Sequence, residues 1–343
     1  ATHAAAARRQ LAPPLVEQLA AAAEYAQRVA EPPIGVKFAA VAGLDDPMID
    51  IAITPDRADC LGVRGVARDL AAAGLGTLKP LDTTPVKGTF KSAINWRVEL
   101  PEQNPSLAPL VVGRYFRDVK NGPSPAWLRD RLIAVGLRPI SALVDITNYV
   151  MMDIGRPLHA YDADKVAGDI FIRLANPGEK YLALDGKEYA FDEEMIVIGD
   201  DHGVDDLAGI MGGERSGCGD ETVNMFLEAA IFDPIRIAAT GRKLNVISDA
   251  RYRFERGLDP TSPYWGSEVA ARMVLDICGG QASELVVHGG APDWKRTYTL
   301  RHSRILGLTG VDIPEADATR ILKDLGFEVS GSTIRSSGWT SEQ

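Results

Sequence analysis

The chain carries five histidines and three cysteines. His3 lies in an Ala-rich run, His202 in an acidic stretch, and His288 and His302 beside turns. His159 stands apart in TNYVMMDIGRPLHAYD, after a Gly-Arg-Pro turn and three residues before Asp162. Two readings of it are open from the residues alone. Its ring is satisfied by Asp162 or the backbone, or it is a polar group aimed at a pocket. Asp200, Asp201, Asp205 and Asp206 gather carboxylates without the glycine turn and distal glutamate of an EF-hand loop, so they read as a solvated hairpin loop. The run AGIMGGERSGCG either presents backbone N–H groups to an anion or ester oxygen, or forms a bare surface turn. Cys60, Cys218 and Cys278 are far apart and lack CxxC spacing, which speaks against a disulfide framework or a cysteine zinc site and for a reducing cytoplasm. The sequence contains no GxSxG, HExxH, GxxxxGK[ST] or GxGxxG, so the common serine hydrolase, zincin, P-loop and dinucleotide-binding classes lose their support.

Elements must hold such residues in place. With 343 residues, 45% of them hydrophobic, the chain can build two to three domains with sizeable cores. A net charge of −10 argues against a purely electrostatic nucleic-acid binder. Two local stretches oppose that balance: 114–138 and 236–256 each hold six Arg/Lys against two acids. Such faces meet phosphates or are simply solvated helix surface. No apolar run is long enough to cross a membrane as a helix, and the N-terminal run is a poor signal peptide. The chain reads as a piece of a longer one.

Residues 1–30 contain twelve Ala, and Pro13–Pro14 followed by LVEQLAAAAEYAQRVA predicts a helix closed before Pro32–Pro33. RADCLGVRGVARDLAAAGLG predicts a second helix, with Leu61, Ala67 and Leu70 near one face. A Pro/Thr/Lys-rich stretch at 77–108, with strand-like INWRVEL, marks a domain boundary. SPAWLRDRLIAVGL predicts a helix with Trp127, Leu128, Leu132 and Val135 as its apolar face. LVVGRYFRDV, DIFIRLA, KYLALDGKEYAF, EMIVIGDD and NMFLEAAIF read as strands, with Asp185–Gly186 as a two-residue hairpin turn. Helices are expected near 234–244 and over 262–278, the latter with Trp265, Val269, Met273 and Ile277 repeating every four residues. SRILGL and PEADATRILKDLGF predict two short helices, Asp312 and Glu315 suggest a capping box, and FEVSGSTIRSS suggests a hairpin.

These stretches together carry a resemblance. TPDRADCLGVRGVARDLAA, VKNGPSPAWLRDRLIAVGLRPISALVDITNYVMMDIGRPLHAYD, LAGIMGGERSGC, FLEAAIFDPIRIAATGRKL and SDARYRFERGLDP follow in the order found in the β subunit of bacterial phenylalanyl-tRNA synthetase, from about residue 50 to 290. The resemblance implies an α+β, multidomain fold. An Ala-rich helical arm (1–33) and a small α+β linker domain (34–100) precede a β-rich aminoacyl-tRNA editing module (101–292). The start of a small α/β, helix-turn-helix-like domain (293–343) follows. It implies partners: phenylalanine tRNA, the tyrosine moiety of mischarged tRNA, and an α subunit in an (αβ)2 heterotetramer, with no membrane and a cytoplasmic setting. ATP and Mg2+ would serve the whole enzyme, with no cofactor and no metal ligand set expected in this stretch.

Residue by residue, the resemblance gives His159, Thr147 and Asn148 to ester handling. Glu228 of FLEAA matches the carboxylate that meets the tyrosine hydroxyl, and Gly209 the backbone lining the amino-acid pocket. Ala250 leaves room for the ring. Ser248 stands where many relatives have threonine, which suggests a slightly looser wall, and Arg138 of GLRPIS matches a polar position near the cleft. The family's TPNRPDCL reads TPDRADCL here, with Asp56 and Ala58 departing in a structural loop. Two functions are therefore expected to compete: hydrolytic editing of tyrosine on phenylalanine tRNA, and a non-catalytic scaffold positioning tRNA and the α subunit. A stand-alone editing protein is disfavoured by the sequence flanking the module.

Overall fold

The structure is a computed structural model, and it describes residue 37, residues 48–331 and residues 333–336. The helix expected over 13–31 lies outside them. The chain divides into two compact units, residues 1–52 with 124–140, and residues 53–123 with 141–343. Helix α1 (Val63–Ala72) belongs to the larger unit and α2 (Ala126–Ala134) to the smaller. In α2, Leu128 and Leu132 are buried, but Trp127 and Val135 are 45% and 40% exposed. The expected four-residue face thus narrows to the two leucines one helical turn apart.

Two four-stranded sheets form the body of the larger unit. One has the order β1 (Trp96–Glu99), β4 (Ile170–Leu174), β7 (Ile196–Asp200), β8 (Gly203–Leu207), with β1 parallel to β4 and the other pairs antiparallel. The other has the order β10 (Gln281–Gly289), β2 (Leu110–Arg117), β9 (Met225–Ile231), β3 (His159–Asp162), all antiparallel. Val111, Tyr161, Phe226 and Ala230 from the second sheet share one core with Ile170, Ile172, Ile196 and Ile198 from the first. Strand β9 is buried on both faces, which explains its nearly unbroken apolar run. Its odd-numbered residues point away from that core. There Ala229 packs with Leu110 and Val112, and α6 (Ser262–Cys278) lies against β9 and β2.

Helix α6 has the expected bounds and a different buried stripe. Pro263, Gly266, Ser267, Ala270, Ala271, Val274 and Cys278 are buried, while Trp265, Val269, Met273 and Ile277 flank them half-buried. Small residues bring the helix close: a Cβ at Gly266 would stand 2.8 Å from Arg156 Cγ. Arg114 of β2 clamps α6 through Glu268, its two terminal nitrogens 2.9 and 2.8 Å from the carboxylate oxygens, both residues at most 5% exposed. Helix α1 likewise buries Gly65, Arg68 and Ala72 rather than Ala67 and Leu70, because Gly65 lies against the Asp59 backbone and Arg68 pairs with Asp59. The stretches 114–138 and 236–256 are therefore not uniformly solvated: Arg114 and Arg253 are buried.

Strands β5 (Lys180–Leu182) and β6 (Glu188–Ala190) pair as expected around Asp185–Gly186, with a longer connection. Ala183 N–H bonds Lys187 O at 2.9 Å and Gly186 N–H bonds Ala183 O at 2.8 Å, so the loop has three residues and Gly186 closes it with φ +74°. Helix α3 (Ala142–Ile154) packs on α6 and β3. Helices α4 (Pro234–Lys243) and α5 (Asp249–Phe254) follow β9. Near the end come α7 (Ser303–Thr309), α8 (Glu315–Asp324) and a sheet of order β11 (Thr297–Thr299), β13 (Thr333–Ser336), β12 (Phe327–Ser330), with α8 packed on β12. The expected capping box does not form. Pro314 occupies the N-cap of α8, and no side chain bonds the helix start. The mixture of sheets and helices is the α+β class expected.

Candidate functional site

The antiparallel register sets His159 of β3 directly opposite Glu228 of β9. Tyr161, two residues along β3, shares their face of the sheet, and its ring meets that of His159 edge-on at 4.4 Å. Its hydroxyl donates to Glu228 Oε2 at 2.8 Å and also touches Asp206 Oδ2. Asp206 reaches in from β8, on the facing sheet; its Oδ1 accepts from Gly213 N–H at 2.8 Å and lies 3.7 Å from His159 Nε2. That Nε2 is buried and makes no hydrogen bond. Glu228 Oε1 likewise accepts none among the described residues, so an imidazole nitrogen and a carboxylate oxygen remain available at neighbouring positions.

Burial pushes the Glu228 carboxyl up to about 7, with the Asp206 charge adding to it and His159, Tyr161 and Arg156 opposing. Burial also raises Asp205 to about 7 and, with the same two carboxylates, lifts Tyr161 well above the usual phenol range. Arg156, wholly buried, is drawn down to about 9. Its guanidinium is held by Pro157 O at 3.1 Å, Ser262 Oγ at 3.1 Å and Ala230 O. The aspartate cluster is thus not a solvated loop. Asp200, Asp205 and Asp206 are 2–4% exposed and only Asp201 faces water, because β7 and β8 form a buried hairpin whose carboxylates meet Arg215, Tyr161 and backbone N–H groups. Nor does Asp162 satisfy His159: its carboxylate accepts from Thr222 Oγ1 at 2.7 Å and from Asp164 N–H.

The glycine loop after β8 forms a second wall. Gly209 has φ +66°, and a Cβ there would press on Phe232, Phe254 and Ile237 at 3.0–3.2 Å. Gly212 is packed closer still, since its Cβ would fall 2.5 Å from His159 Cε1. Ser248 fastens this loop to α5: its Oγ donates to Ile210 O at 2.6 Å and accepts from Arg251 N–H at 3.0 Å as the helix N-cap. Ala250 packs on the same core as Phe232 and Phe254. Thr147 and Asn148 sit on α3. The Thr147 hydroxyl donates to Val144 O at 2.7 Å, and no hydrogen bond joins either residue to His159 or Glu228. Arg138 belongs to the smaller unit and is exposed.

Sequence reading missed Tyr161 and Arg156, and placed Asp206 in a solvated loop. Strand parity with His159 was the signal for Tyr161, and Asp206 became visible only with the strand β8 that carries it. Two cavities open elsewhere. One, of about 660 Å3, is lined by Asp205, Arg215, His202 and Tyr181; the other, of about 410 Å3, by Arg64, Arg156, Arg256 and Asp259. Among the described residues, one group of three metal-ligating types gathers, Asp59, Cys60 and Asp69. Arg57 and Arg68 already neutralise its carboxylates, which leaves a poor donor set for a cation. All three cysteines are free, and no described helix is long and apolar enough to cross a membrane.

Residues 107–279, just over half of the chain and including both faces of the Glu228 site, match the B3/4 domain. The phenylalanine–tRNA ligase beta subunit of Paramagnetospirillum magneticum is 56% identical over 83% of this chain, and that of Cereibacter sphaeroides 52% identical over 90%. A solved N-terminal fragment of the phenylalanyl-tRNA synthetase beta subunit from Pyrococcus horikoshii aligns over 83% of this chain and 78% of its own, at 17% identity and TM-score 0.37. The chain carries a B3/4 domain and belongs to the family of phenylalanine–tRNA ligase beta subunits. It spans 36% and 38% of the length of the first two relatives.

Proposed function

We propose that the His159–Glu228 site hydrolyses the ester of tyrosine misattached to phenylalanine tRNA. The observation that carries this reading is a buried carboxylate set across one strand pair from a histidine whose Nε2 makes no hydrogen bond. Tyrosine differs from phenylalanine by one hydroxyl. An apolar pocket rejects an added hydroxyl by a factor of only about 10², whereas a site built to bond it rejects the analogue lacking it by roughly 10⁴–10⁵. A second, hydrolytic site that demands the hydroxyl has the easier task, and Glu228 supplies the acceptor.

The aminoacyl ester is already activated toward water, so holding it beside a placed water supplies much of the rate. His159 is the group assigned to orient that water. Thr147 and Asn148 would join from α3 once tRNA is bound. No step is assigned to a metal here. ATP and Mg2+ belong, in this reading, to aminoacylation by the complete enzyme with its α subunit.

The test is deacylation of tyrosyl- and phenylalanyl-tRNA(Phe) by the purified chain at matched salt. Faster loss of the tyrosyl ester is expected. Equal background rates for both, with the chain folded and binding tRNA, would favour the scaffold reading.

A further inference from the structure

Tyr161 stands between two acids. Its hydroxyl lies 2.8 Å from Glu228 Oε2 and in close contact with Asp206 Oδ2, and the three residues are 1%, 6% and 4% exposed. A phenol carries a single hydrogen and cannot serve two ionised acceptors at once. Were both carboxyls ionised, one oxygen pair would meet in a buried space with no proton between them, which is costly. A second proton in the chain removes that conflict. Asp206 is the poorer host for it, since its Oδ1 accepts a backbone N–H at 2.8 Å and lies 3.7 Å from His159 Nε2. The Glu228 carboxyl receives no backbone N–H among the described residues.

We propose that Tyr161 is the positioning residue of the tyrosine-reading carboxyl: it bridges Glu228 and Asp206 in a chain that holds two protons while Glu228 is neutral and one when it is ionised, fixes Glu228 Oε2, and leaves Oε1 as the acceptor for the ligand's phenol. This rests on the reading of Glu228 given above. The titratable groups facing Glu228 are His159 and Tyr161 from β3, Asp206 from β8 and Arg156 from the turn before β3, while β2 presents Gly113. Burial, the largest influence, holds the Glu228 titration near 7. Below that pH a neutral carboxyl reads the phenol weakly, and above it a carboxylate reads it strongly. The ratio of tyrosyl to phenylalanyl hydrolysis therefore rises between pH 6 and pH 8.

Tyr161→Phe keeps the ring and removes the bridging hydrogen. Ionised Glu228 loses a donor, so its titration moves to higher pH, and at pH 8 the tyrosyl preference falls about three- to tenfold. The experiment follows the labelled Glu228 side-chain carboxyl by 13C NMR from pH 4 to 9 in the full chain, parent and Y161F, with kcat/KM on both esters at pH 6 and 8. A parent midpoint well above the ordinary carboxylate range, displaced upward in Y161F, supports the proposal. A parent midpoint in that ordinary range, or an unmoved midpoint in Y161F, overturns it. If Y161F fails to fold, Asp206→Asn serves instead: removing the facing charge must lower the Glu228 midpoint, and an unmoved one overturns the proposal. Because the NMR titration needs no turnover, a chain that hydrolyses neither ester yet shows the expected midpoints retains the Tyr161 bridge and loses only the editing reading.

Discussion

Glu228 keeps a carboxyl out of water, and its protonation links the site to stability. Its folded-state value of about 7 lies above the ordinary 4.5. Between those values the unfolded chain releases the proton first, so stability falls as pH rises through this window and is level above it. Asp205, also raised to about 7, acts in the same direction. Glu228→Gln has no proton to release. Relative to the parent, the variant should gain on the order of 1–3 kcal/mol between pH 5 and pH 8, leaving the residual slope from Asp205. Urea unfolding at the two pH values measures this, and a variant–parent difference that ignores pH would contradict it. At this scale the pairing of His159 with Glu228 was suggested by the family resemblance of PLHAYD and FLEAA, and the sheet register sets them opposite one another. Tyr161 and Asp206 were not legible, since a tyrosine in HAYD and an aspartate in an acidic run give no local sign of meeting across two sheets.

The elements hold these residues through a few buried polar joints. Arg114 of β2 and Glu268 of α6 form one of them, a two-pronged pair in which Glu268 also takes Val86 N–H at 2.7 Å. Glu268→Ala leaves a guanidinium uncompensated and should destabilise the larger unit by about 3–5 kcal/mol. Replacing both partners together, Arg114→Met with Glu268→Leu, should recover most of that loss. Thermal and urea melts of the three variants test this, and a double variant as weak as the single one would contradict it. Long periodic elements were readable from sequence: α6 has the expected bounds, and the β2, β4, β7 and β9 strands fall in the expected runs. Their faces were harder to read. Large apolar residues at helical spacing marked Trp265, Val269, Met273 and Ile277, yet the helix buries its small residues because close approach to Arg156 and the sheet decides the contact. β8 was hidden because its buried aspartates imitate a loop.

On the scale of the whole molecule, two sheets close on a shared core and bring β3, β8 and β9 to one place, although Asp206 is 47 residues from His159 and 22 from Glu228 in sequence. Membership of the phenylalanine–tRNA ligase beta subunit family and the match of residues 107–279 to the B3/4 domain fit that arrangement. The family was legible in the sequence because its motifs are long; the closed network inside the domain required the sheet pairing. In the proposed function, Glu228 is the group that distinguishes tyrosine from phenylalanine. The most direct measurement is kcat/KM for deacylation of tyrosyl- and phenylalanyl-tRNA(Phe) by the parent and by Glu228→Ala at pH 8, with folding checked by melting. Loss of a charge-assisted hydrogen bond of about 1.5–3 kcal/mol should reduce the tyrosyl rate constant roughly 10- to 150-fold more than the phenylalanyl one. Equal losses on the two esters, in a variant that stays folded, would contradict it.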